Sequence, residues 1–136
     1  MRFVLPLVLM FMTACASAEV KPDPTPTPTC DAVKVIDTLL VPAQRYEDAF
    51  ALVPSASAES LTTIAADLQA ARRDLVSAPL PSCGEDVRRQ MQESMDVGIE
   101  GVIFLQSGAT DAAADSFNEY RTLNGRLSSA LAALQR

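Results

Sequence analysis

From Val33 to Leu134, apolar residues recur at intervals of three and four with polar residues between them, a spacing that belongs to amphipathic helices and not to strands. Four helical segments follow from it. The first covers about Asp31 to Val53, with Val33, Ile36, Leu40, Tyr46 and Phe50 among its apolar positions and Pro42 expected to kink or divide it. The second, about Ser57 to Ser77, carries Leu61, Ile64, Leu68 and Leu75 on one stripe. The third begins after Ser82, whose spacing to Glu85 in SCGE predicts a capping box. It carries Val87, Met91, Met95, Val102 and Leu105, and Gly108 supplies its stop. The fourth, about Thr110 to Leu134, has Asp111 and Asp115 near its N-terminus, where the helix dipole favours them. Its apolar face holds Phe117, Tyr120, Leu127, Leu131 and Leu134.

Short connections between helices of this length make neighbours antiparallel, so the expected fold is all-α, an up-down-up-down four-helix bundle over residues 30–136. Cys30 precedes the first helix and Cys83 opens the third. In such a bundle both starts lie at one end, which predicts a Cys30–Cys83 disulfide there.

Ahead of the bundle the pattern changes twice. Arg2 is followed by an apolar run from Phe3 to Met12 and then by small residues, the arrangement of an export signal. The uncharged stretch from Phe3 to Ala18 is about 24 Å long as a helix, short of the roughly 30 Å of hydrocarbon in a bilayer. Lys21 to Thr29 then reads KPDPTPTPT, which favours extended polyproline II and spans on the order of 28 Å.

Two cleavage sites compete within MTACASA. Ala16-Ser17-Ala18 is an A-x-A site that would release a chain starting at Glu19. Met12-Thr13-Ala14-Cys15, by contrast, resembles the lipobox of bacterial lipoproteins, with Met12 where that motif usually has Leu. The resemblance implies residues 1–14 as signal peptide, Cys15 as the lipidated first residue bearing diacylglyceryl and acyl (palmitate-type) chains, and residues 15–29 as a lipid-anchored tether. It further implies attachment at the bacterial cell envelope, and Ala16 after the lipidated Cys allows the outer membrane or cell surface. A spacer of this composition favours the anchored reading, because it holds a domain off a surface.

The three cysteines fit either cleavage, since both leave Cys30 and Cys83 as a pair in an oxidising compartment. The chain has no His, which removes the commonest general base, the His-dependent nucleophile pairs and most transition-metal sites. With no catalytic or phosphate-binding motif, the expectation is a non-enzymatic protein without cofactor or metal. A net charge of −6 makes nucleic acid an unsuitable partner.

Three smaller features bear on function. Gly98 and Gly101 in GIEG suit close helix approach better than a ligand loop. Arg72-Arg73 and Arg88-Arg89 flank the turn PLPSC, either facing lipid headgroups or balanced by Asp67, Asp74, Glu85 and Asp86. Asn124 falls on the apolar stripe of the last helix, as a buried register-setting residue or the lining of a pocket, beside a helix-weakening Gly125. Two functions therefore stay open. One is an envelope module that offers its bundle to a protein partner, and the other is a small-ligand carrier or sensor that uses the bundle interior. A contiguous exposed apolar patch on the outer helix faces would favour the first, and an enclosed apolar cavity reaching Asn124, Tyr46 or Tyr120 the second.

Overall fold

The computed structural model describes residues 30–134. The signal segment, Cys15 and the tether lie outside the described residues. Within them the chain forms four helices, α1 (Ala32–Phe50), α2 (Ala58–Ser77), α3 (Glu85–Gln106) and α4 (Thr110–Leu134), with single 3-10 turns at Val53–Ser55 and Ser82–Gly84. The four-helix bundle inferred from periodicity is the observed architecture.

Each helix begins or ends where local chemistry dictates. The Asp31 carboxylate accepts from the Lys34 amide at 3.0 Å, and the Ser57 hydroxyl accepts from the Ser60 amide at 3.2 Å, so α1 and α2 are both side-chain capped. At the end of α3, Gly108 takes φ +76°, and the amides of Gly108 and Ala109 donate to Leu105 and Phe104. That is a Schellman closure, which places glycine at the left-handed position.

Two expectations for helix ends and breaks are corrected. α1 runs undivided through Pro42, which is buried against the core. The capping box at Ser82 does not form, since α3 starts from Gly84 without a side-chain cap. Residues Ser82 to Gly84 instead turn over the start of α1. This brings Cys83 to Cys30 with a Cα separation of 5.7 Å and seats buried Gly84 against Val35. Glu85 pairs with Arg88, and Arg88 also donates to the carbonyls of Val76 and Ala78, both at 3.0 Å. It thereby satisfies the open C-terminal carbonyls of α2.

The disulfide joins the starts of α1 and α3 across a separation of 53 residues, a loop for which chain entropy gives a stabilisation of about 4 kcal/mol. Neighbouring helices in sequence make the close backbone contacts, tightest for α3 against α4. α1 meets α3 and α4 mainly through long side chains. The core runs through Val35, Leu39, Leu68, Leu75 and Val102, all fully or almost fully buried. The stripe that α1 buries is Val35, Leu39, Pro42 and Tyr46, so Val33 and Leu40 lie outside the core with exposures of 68 % and 45 %.

The two glycines of GIEG are seats for aromatic rings. A Cβ at Gly98 would overlap the Tyr46 hydroxyl, and one at Gly101 would overlap the Phe117 ring. Gly125, in contrast, has open space around its missing side chain. We expect Gly98→Ala to cost about 1–3 kcal/mol through overpacking. Gly125→Ala should instead stabilise α4 by about 0.5–1 kcal/mol. Denaturant midpoints of the two variants check this, and an unchanged midpoint for Gly98→Ala would contradict the seat.

Candidate functional site

α1 is held away from α4 by aromatic side chains, and the space between them is the candidate site. Tyr46 reaches across the bundle from α1 and donates its hydroxyl to the Met95 carbonyl on α3 at 3.0 Å, an arrangement that only the bare backbone of Gly98 permits. Phe50 stacks on Tyr46 with ring centroids 5.9 Å apart and meets Tyr120 of α4 at 4.6 Å. Phe117 abuts Phe50 edge to face at 5.6 Å. These four rings fill the α1/α4 seam toward the C-terminal end of α1.

On the side of Tyr120 toward the disulfide, the seam opens into a crevice of about 150 Å³. Ala43 and Tyr46 from α1, Met91 and Met95 from α3, and Leu127 and Leu131 from α4 form its apolar walls. Its polar groups are few. Tyr120 donates to Glu47 Oε1 at 2.7 Å, and the Ser94 hydroxyl donates to Asn124 Oδ1 at 2.6 Å. Two separate hydrogen-bonded pairs, Ser94–Asn124 and Tyr120–Glu47, thus stand in the crevice. A second opening of about 310 Å³ lies on the other side of Tyr120, lined by Phe50, Val53, Pro54, Phe117 and Arg121.

Burial drives both tyrosine hydroxyls well above the ordinary range. For Tyr46 the neighbouring Tyr120, Glu47 and Asp96 add to that effect, and for Tyr120 its donation to Glu47 adds to it while Asn124 opposes it. Both tyrosines are therefore neutral donors under physiological conditions.

The residues singled out from sequence are only partly brought together. Asn124, Tyr46 and Tyr120 converge on the crevice, which is half open to solvent and not the enclosed cavity expected of an interior site. Cys30 and Cys83 are bonded at one end of the fold. Arg72, Arg88 and Arg89 pair with Asp96, Glu85 and Asp86, and Asp74 pairs with Arg45, so these charges largely balance one another at the surface. Ser94 carries no mark in the sequence beyond a small hydroxyl beside Met91 and Met95 on an otherwise apolar stripe, and Glu47 reads there, with Asp48, as a solvated helix terminus.

Among the described residues no three His, Cys, Asp or Glu side chains converge on a metal-sized site, and no helix is long and apolar enough to cross a membrane. The chain matches no family model, no curated protein and no solved structure.

A raised pKa in the folded state means that folding favours the neutral tyrosine. The associated stability is complete below pH about 10 and declines above it, as tyrosines of the unfolded chain ionise first. Because the chain has only two tyrosines and no Trp, phenolate absorbance reports on these two groups alone. We expect phenolate formation to coincide with loss of the helical circular dichroism signal. Ionisation near pH 10 with the helices intact would contradict the buried network.

Proposed function

We propose that this chain is a non-enzymatic, lipid-anchored module of the bacterial cell envelope whose bundle holds a small apolar ligand in the crevice between α1 and α4. The observation that carries this reading is the crevice itself, apolar on its walls and holding two polar pairs, Ser94–Asn124 and Tyr120–Glu47. Concave apolar sites with a few placed polar groups are the usual form of small-molecule sites.

The scaffolding alternative calls for a contiguous exposed apolar patch. Among the described residues, exposed Leu52, Val76 and Ile103 belong to different segments; on α1, Val33 and Leu40 share the flank that carries Ala43 into the crevice, and Val41 is exposed beside Leu40 on another face. Exposed apolar residues are thus scattered or border the crevice. A protein partner is not needed to explain them.

The anchor is supported by the lipobox-like Met12-Thr13-Ala14-Cys15 and by the Pro/Thr tether. The tether joins the bundle at Cys30, the end toward which Met91 and Leu131 extend the crevice.

Two measurements test this. Mass spectrometry of the mature N-terminus is expected to find acylated Cys15, and an unmodified peptide starting at Glu19 would reject the anchor. Protein extracted from its own envelope is expected to release an apolar small molecule on unfolding, and a crevice-filling Leu127→Trp variant is expected to release none. Wild-type protein that yields no such molecule would contradict the ligand reading.

A further inference from the structure

Among the described residues, Glu47 is the only charged side chain lining the crevice. Its Oε1 is occupied by the Tyr120 hydroxyl, and neither carboxylate oxygen pairs with an Arg or Lys among the described residues. Among the described residues the Glu47 anion thus has no counterion, and its side chain stands exposed at the mouth of the apolar hollow. Beside it stand the rings of Tyr46 and Tyr120, with centroids 6.1 Å apart and planes inclined at 40°. Tyrosine faces attract cations within about 6 Å of the ring centroid.

We propose that the crevice takes a small apolar amine in its cationic form, with the ammonium held by Glu47 beside the Tyr46 and Tyr120 rings and the apolar body against Met91, Leu127 and Leu131. This rests on the crevice being a ligand site and adds the charge of the ligand. Glu47 Oε2 supplies the acceptor, and the Asn124 carbonyl oxygen, already accepting from Ser94, offers a second lone pair nearby. Both methionine walls are flexible and polarizable, which suits a body of variable shape. The crevice volume of about 150 Å³ suits one ring or a short branched chain within it. An anionic ligand of the same size would face Glu47 directly and be repelled.

The test compares benzylamine, benzyl alcohol and benzoate by calorimetry against the mature protein in lipid nanodiscs, with empty nanodiscs as the blank. Benzylamine in its cationic form is expected to bind at least about tenfold more tightly than benzyl alcohol, and benzoate not measurably. Glu47→Gln keeps an acceptor for Tyr120 while removing the charge. It should bring benzylamine to the level of the alcohol, with an unchanged thermal transition. Equal binding of amine and alcohol to the wild type would overturn the cation site and leave a neutral apolar site standing. Failure of all three probes to bind would overturn the ligand reading as well.

Discussion

The arrangement of this bundle depends on two places where α3 has no side chain. At Gly98 the Tyr46 hydroxyl enters to reach the Met95 carbonyl, and at Gly101 the Phe117 ring fills the space. Aromatic groups from α1 and α4 therefore rest on α3 and not on one another's backbones. A four-helix bundle built on aliphatic residues would close all four seams. This one closes three and leaves the α1/α4 seam propped by rings, with openings on both sides of Tyr120.

The hydrogen bonds follow from the same constraint. Once Tyr46 and Tyr120 are buried, their hydroxyls require partners, because an unsatisfied buried hydroxyl costs about 1–3 kcal/mol. The Met95 carbonyl meets one need and Glu47 the other, while Asn124 accepts from buried Ser94. No buried side-chain polar atom among the described residues is left without a partner. Packing and polarity are thus met by one set of residues. The disulfide acts separately, clamping the far end of α1 to α3 where Val35 packs on Gly84.

Much of the fold was legible before the structure. The limits of α4, the start of α2 at Ser57, the Gly108 stop and the Cys30–Cys83 pair all emerge from short-range chemistry or from topology. What escaped is tertiary in origin. α1 has two neighbouring apolar stripes, Val35-Leu39-Pro42-Tyr46 and Val33-Ile36-Leu40-Ala43, and periodicity alone does not choose between them. The choice falls to the first because Tyr46 has a seat on Gly98, a residue of α3 far along the chain. Likewise, Ser82 and Glu85 have capping-box spacing, but the turn that delivers Cys83 to Cys30 uses those residues otherwise. Asn124 marked the candidate site, whereas Glu47 looked like any solvated acid until Tyr120 was seen to reach it.

Nuclear Overhauser contacts to the α protons of Gly98 and Gly101 test the central claim most directly. The account predicts contacts from the Tyr46 ring to Gly98 and from the Phe117 ring to Gly101, with both glycine resonances displaced by ring currents. Contacts from aliphatic side chains of α1 or α4 in place of those rings would contradict it, because the α1/α4 seam would then be closed by direct helix packing and no crevice would remain.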